Sequence, residues 1–324
     1  MSNSSGEMTP QLDVQELEQT EQIVEQHLPK TEAALGEAKG AREGSGWLTL
    51  AWALPGFAFL TVYLLIPLAF IVLVSFWTYE VGVQRGFRID WTLANYSDLF
   101  DDATYWDNML SSFWTSLIAV AACLVFGFPV AYFLALKVQS LRMQIALFIL
   151  ALAPFWTSYL TRSVAWTYPL MGREGALNRI IPGPPIEALG FSGTSVTLAM
   201  IQLYILFMVT PLFFTLSQVD RTAIEAARDL GGNWWRTFRE VILPQTLPGI
   251  VIGAIFIFVL TMGENATVRV IGGNAVTSVG TIVQSKVEIA VQYPQGAASA
   301  VLLLAALIAG VFVITRFSNL REDL

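Results

Sequence analysis

The chain has 324 residues, of which 55% are hydrophobic and 13% charged, about half the charged fraction of a soluble domain. That excludes an ordinary soluble enzyme and points to an all-α, polytopic membrane protein. The formal net charge of −7 is local: residues 1–46 hold nine acids against three bases, which leaves −1 for the rest. A single cysteine, Cys123, lies in an apolar run and rules out a disulfide within the chain. A single histidine, His27, lies in a polar tail, which argues against a metal site of the His/Cys type.

In chain order, residues 1–46 are rich in Glu, Gln, Ala and Gly, and such polarity predicts a solvated, mostly disordered tail. Leu12, Leu17, Ile23, Val24 and Leu28 leave open a weakly amphipathic helix that touches a partner. The segment lacks the basic start and apolar core of a signal peptide. A first span is expected over Trp47 to Trp77, with Pro55 and Pro67 inside it. Residues 78–108 are polar and carry interface-type aromatics such as Trp91 and Trp106. The second span is expected over Met109 to Leu136. A very short loop flanked by Lys137 and Arg142 leads to the third, Met143 to Tyr168, which contains Pro154 and Arg162. A Pro/Gly-rich loop with P-G-P-P at 182–185 precedes the fourth, Ser195 to Leu216. The fifth is expected over Gly249 to Val268 and the sixth over Gly296 to Ile314. A short tail, 317–324, ends the chain. The domain reading is thus a tail (1–46), a six-span body (47–316) and a terminal tail.

Six spans put both termini on one side. That side carries eleven Lys and Arg residues and the other six, so the positive-inside rule places both ends in the cytoplasm. It also places there the polar stretch 217–248, between the fourth and fifth spans. Asp220 is suited to cap a helix in that stretch. Ala223, Ala227 and Leu230 fall on one face, and Gly231 and Gly232 stop the helix. Asn233 can cap a second helix whose apolar face is Trp234 or Trp235, Phe238 and Val241 or Ile242. A helix, a glycine turn and a second helix between spans predict a docking surface for a partner.

The words E-A-A-R-D-L-G, nine residues, then V-I-L-P resemble the EAA loop of bacterial ABC-importer permeases. Glu225, Ala226, Ala227, Gly231, Leu243 and Pro244 match the pattern, and Val241 replaces its usual isoleucine. A second word, P-F-W-T-S-Y-L-T-R-S-V-A-W at 154–166, followed by G-R-E-G-A-L-N, resembles the spermidine/putrescine-type branch of those permeases. The resemblance implies a type I ABC-importer permease fold and alternating access. It implies partners: a dimer of ATPase subunits docked on the EAA loop, a second homologous permease chain, and a periplasmic substrate-binding protein. The site is the bacterial inner membrane, with lipid and not nucleic acid around the chain. No G-x-x-x-x-G-K-[ST] phosphate loop is present. ATP is therefore expected to be used by partner subunits, with no cofactor bound here and no enzyme activity of its own.

Charged residues inside spans are expensive and are candidates for function. Arg162 is expected either to line a pathway or to snorkel to the interface. Glu264, in T-M-G-E-N-A at the end of the fifth span, either attracts a cationic substrate or makes an interhelical bond, Arg269 being a possible partner. Related permeases often carry G-E-F here, where this chain has Asn265. Trp156, Tyr159 and Tyr204 complete the candidate pathway, with ring faces suited to a cationic amine. The alternative of another class is a gradient-driven carrier or channel that uses Glu264 and Arg162 as an ion relay.

Overall fold

A computed structural model of the protein describes residues 46–80, 87–170, 175–180 and 190–319. The expected acidic tail up to residue 45, the P-G-P-P loop and the end of the terminal tail lie outside these residues. Five helices among them are long and apolar enough to cross a membrane, and one bent pair makes a sixth. The expected all-α, six-span architecture is therefore present, with one small antiparallel pair, β1 (Thr78–Tyr79) and β2 (Phe87–Arg88).

The chain divides into two compact units, Met1–Ala69 and Phe70–Leu324. In the first, α1 (Gly46–Leu60) runs into a π-turn, Thr61–Leu65. The next helix, α2 (Ile66–Val74), opens with Pro67 at its second position. A proline ring presses on the carbonyl four residues earlier and supplies no N–H, and a widened turn relieves both.

The second unit is built around α8 (Gly193–Ser217). Before it come α3 (Ala94–Asp101), α4 (Ala103–Tyr132), α5 (Leu141–Leu152), α6 (Tyr159–Leu170) and the short α7 (Ala176–Ile180). After it come α9 (Arg221–Asp229), α10 (Trp234–Thr237), α11 (Leu243–Met262), α12 (Val279–Gln284) and α13 (Tyr293–Asn319). Helix α8 is apolar all round, the pattern of a helix covered on more than one side. It packs between α4 and α11, and Ala199, Leu203, Met208, Leu212 and Leu216 on it are buried. Small residues allow that approach, as expected where helices meet without a hydrophobic driving force. A Cβ on Gly253 of α11 would lie 2.7 Å from Met208 Sδ and 3.1 Å from Met208 Cα. One on Gly127 of α4 would lie 3.3 Å from Val209 Cγ2.

Three expected spans have different bounds. The second begins earlier, at Ala103, because Asp102 caps it by accepting the N–H of Thr104 at 3.0 Å and of Tyr105 at 3.3 Å. The third is not one rod: Leu141–Trp156 and Tyr159–Thr167 meet at 81°. Pro154 lies in a 3-10 turn, Ala153–Trp156, that ends the first arm. Its carbonyl accepts both the Thr157 N–H at 3.2 Å and the Thr157 hydroxyl at 2.7 Å, so the bend leaves that oxygen satisfied. The fifth helix stops at Met262, before Glu264, rather than continuing to Val268.

Gly253→Leu is expected to push α11 off α8, at a cost of about 1–3 kcal/mol typical of overpacking. The check is the Tm of the purified protein in detergent, which should fall well below that of wild type.

Candidate functional site

Two regions carry the residues singled out by sequence. The first is the connection between α8 and α11. Asp220 Oδ1 accepts the Thr222 N–H and hydroxyl, both at 2.8 Å. These bonds hold its carboxyl below the usual carboxylate range. The helix α9 that follows ends at Leu230. Gly231 takes φ +80°, a left-handed conformation that side chains with a Cβ disfavour. The Gly232 N–H then reaches back to the Ala227 carbonyl at 3.0 Å. Asn233 Oδ1 accepts the Arg236 N–H at 2.8 Å and starts α10. A π-turn, Phe238–Ile242, delivers the chain through Leu243 and Pro244 into α11. Both expected caps and the glycine stop are present.

The faces sort less simply. Ala223, Ala227 and Val241 are half-buried, Ile242 is buried, and Glu225, Ala226 and Pro244 are exposed. Leu230, expected on one face with Ala223 and Ala227, is 88% exposed because it sits where the helix has already ended. Trp234 and Trp235 are exposed as well. A hollow of about 150 Å³ between α9 and α10 is lined by Ala227, Leu230, Gly232, Arg236, Thr237 and Glu240. An Arg236–Glu240 ion pair at 3.1 Å spans its rim. A rigid turn with a hollow and exposed apolar side chains can seat a partner.

The second region is the break after α11. Glu264 is 7% exposed. Tyr159 of α6 donates its hydroxyl to one carboxylate oxygen and Tyr204 of α8 donates to the other. The Thr267 N–H adds a third bond at 2.9 Å, and the Tyr159 and Thr267 hydroxyls are 2.6 Å apart. The Ser278 hydroxyl donates to the Glu264 carbonyl at 2.7 Å. Three of the five pathway candidates, Tyr159, Tyr204 and Glu264, therefore meet, and the interhelical bond is the arrangement found. Arg269 does not pair with Glu264; it is exposed.

Trp156 and Arg162 lie elsewhere. Trp156 is 77% exposed and lines an apolar cavity of about 560 Å³ with Phe155, Phe207, Phe214 and Phe256. The Arg162 guanidinium lies 5.9 Å from the Phe155 ring centroid, with Nε and Nη1 buried and without a hydrogen-bond partner. Among the described residues no ion pair joins Arg162 to Glu264. Sequence reasoning missed Thr267 and Ser278. The signal for Ser278 was present: with Thr281 three residues on, it forms a capping box at the start of α12.

Tyr204→Phe keeps the ring but leaves a buried carboxylate oxygen without its donor. The expected cost is about 1.5–3 kcal/mol for a hydrogen bond to a charged group. A double-mutant cycle with Glu264→Gln, read as Tm, should give a double variant less destabilised than the sum of the singles.

This architecture has relatives. The chain is 32% identical over 269 residues to the spermidine/putrescine transport system permease protein PotB of Haemophilus influenzae, covering 82% of this chain and 92% of that protein. It is 29% identical over 245 residues to the inner membrane ABC transporter permease protein YdcU of Escherichia coli, covering 68% and 77%. No protein-family model matches the chain. A chain of the bacterial alginate ABC transporter, solved in complex with an alginate pentasaccharide-bound periplasmic protein, superposes with a TM-score of 0.59 at 16% identity. The match covers 85% of this chain and 95% of that one and supports the fold. Likeness to PotB over most of both chains, on the fold of an ABC-transporter permease, means that the chain belongs to the family of ABC-transporter permease subunits, in the branch that includes PotB.

Proposed function

We propose that the chain is the permease subunit of a binding-protein-dependent importer that carries a small cationic amine of the polyamine class across the inner membrane. The observation that carries the substrate class is the 32% identity to PotB over 92% of that protein, a spermidine/putrescine permease by name. On this reading residues 47–316 form the transport body. The two terminal tails and the α8–α11 connection face the cytoplasm, consistent with eleven basic residues on that side against six on the other.

Energy enters through partners. The chain has no phosphate loop of its own, so a dimer of ATPase subunits binds and hydrolyses ATP. Glu225, Ala226, Ala227 and Gly231 form the part of α9 and its turn that sits in the ATPase groove. Val241, Leu243 and Pro244 pass the displacement directly into α11. A second homologous permease completes the pathway, and a periplasmic binding protein delivers the substrate. Alternating access then moves α11 relative to its neighbours.

Glu264 contributes charge to the pathway wall. Its oxygens are held by phenol donors that are themselves neutral. A passing ammonium group can replace those donors one at a time, so the carboxylate keeps its hydrogen bonds throughout. Tyr159 and Tyr204, with ring centroids 6.5 Å apart, offer faces for cation–π contact. Trp156 and Arg162 lie outside this cluster and act at the entrance, where an aromatic anchor and a fixed cation bound the route.

Reconstitution in proteoliposomes with the partner subunits tests the proposal. Uptake of radiolabelled putrescine or spermidine should require both ATP and the binding protein. Uptake that persists without the ATPase and collapses with the proton gradient overturns it. Within that system Gly231→Pro forces φ toward −65° where +80° is needed, and Glu225→Arg reverses a charge on the docking face. Each is expected to lower ATPase copurification and uptake by about tenfold or more, the scale of losing one interface hot spot, with normal membrane insertion. Unchanged copurification and uptake would count against the coupling role.

A further inference from the structure

The break that places Glu264 has a second side. While the Glu264 side chain turns toward Tyr159 and Tyr204, its neighbours Gly263 and Asn265 line a cleft of about 280 Å³. The facing wall comes from α12 and the π-turn Ser285–Ile289 that follows it. That wall presents Gln284 and Glu288, with Val283, Val287 and Leu303 as apolar floor.

The polar groups of this cleft are biased toward acceptors. Gln284 Nε2 donates to Glu288 Oε2 at 2.8 Å, one helical turn away. That bond fixes the amide orientation and leaves Gln284 Oε1 buried with no donor. A buried acceptor without a partner is costly, and such a group calls for an explanation. Glu288 is an exposed carboxylate, and among the described residues no Lys or Arg pairs with it. Burial lowers the pKa of Lys286, two residues earlier, and the charges of Asp102 and Asp98 oppose that shift. Asn265 adds an amide on the opposite wall. An ammonium group has three N–H donors and no acceptor, the complement of this set.

We propose that the cleft is a subsite for a terminal ammonium group of an amine substrate. Glu288 supplies the countercharge, the Gln284 and Asn265 carbonyl oxygens accept N–H bonds, and the methylene chain lies on Val283, Val287 and Leu303. Asn265 makes that side of the cleft polar. Gly263 and Asn265, the neighbours of Glu264 in the chain, place the cleft beside the same break. The inference rests on the amine-carrier reading above.

The test uses the purified permease–ATPase complex without binding protein, and radiolabelled spermidine as the probe. Wild type should bind spermidine. Glu288→Gln and Gln284→Leu should each weaken binding by about tenfold or more, the size of one hydrogen bond to a charged group. Glu288→Asp, which keeps the charge, should stay within a few-fold of wild type, which separates charge recognition from a folding defect. Affinity unchanged in Glu288→Gln overturns the subsite and leaves the amine-carrier reading intact. So does a wild-type complex that transports spermidine with its binding protein yet binds none alone. Failure of the complete system to transport any polyamine overturns the carrier reading and the subsite with it.

Discussion

A peptide group inside a bilayer has no water to turn to, so each break in a spanning helix must carry its own replacement partners. That constraint organises the second unit. At the bend of the third span, Thr157 returns both its N–H and its hydroxyl to the Pro154 carbonyl. At the break after α11, Ser278 covers the Glu264 carbonyl, and the Ser112 hydroxyl on α4 accepts the Val279 N–H at 3.1 Å. The breaks are tolerated because short hydroxyl side chains stand beside them. Remove the Ser278 and Ser112 hydroxyls and the second break would leave a buried carbonyl and a buried N–H without these partners, at a cost of order kcal/mol each.

Between the breaks the packing follows a different rule. Helices α4, α8 and α11 meet through glycine and other small side chains, with Met208 filling the space beside Gly253. Such contacts are dense, and dense interiors shift between discrete arrangements more readily than they deform. The polar contacts lie toward the ends of these helices, at Glu264 and at the α8–α11 connection. A push on α9 and α10 reaches α11 without a flexible loop between, because the π-turn Phe238–Ile242 leads into it directly. The far end of α11 is where Glu264 is held. The α8–α11 connection and the Glu264 bonds thus lie at opposite ends of one helix.

The spans and the caps of the α8–α11 connection were legible because they depend on local signals: runs of apolar residues, Asp220, Gly231 and Asn233. The coming together of Tyr159, Tyr204 and Glu264 was half legible. Each residue was recognisable as expensive or amphipathic, yet nothing local says that residues 159, 204 and 264 share one point. The 81° bend was misread as a straight span because Pro154 alone only permits a break. The Thr157 hydroxyl and the packing of α6 beside α8 decide it. For Leu230, helical periodicity gave one face with Ala223 and Ala227, but periodicity stops applying at the residue where the helix ends. The cleft at Gln284 and Glu288 gave no sign, since both sat in what read as an outer polar loop.

The choice of partners for Glu264 has a consequence for charge. Arg162 lies one turn beyond Tyr159 on the same helix, and a guanidinium bonded to Glu264 would have satisfied the carboxylate as fully as two phenols do. It would also have cancelled the charge. In a low-dielectric setting an ion pair is self-contained, and a cation passing by gains little from it. Phenols satisfy the lone pairs and bring no charge of their own. Holding Arg162 over Phe155 instead keeps the one fixed positive charge of that arm away from the carboxylate. The Glu264 carboxylate is thus held by neutral donors alone, while the Arg162 guanidinium lies near an aromatic ring.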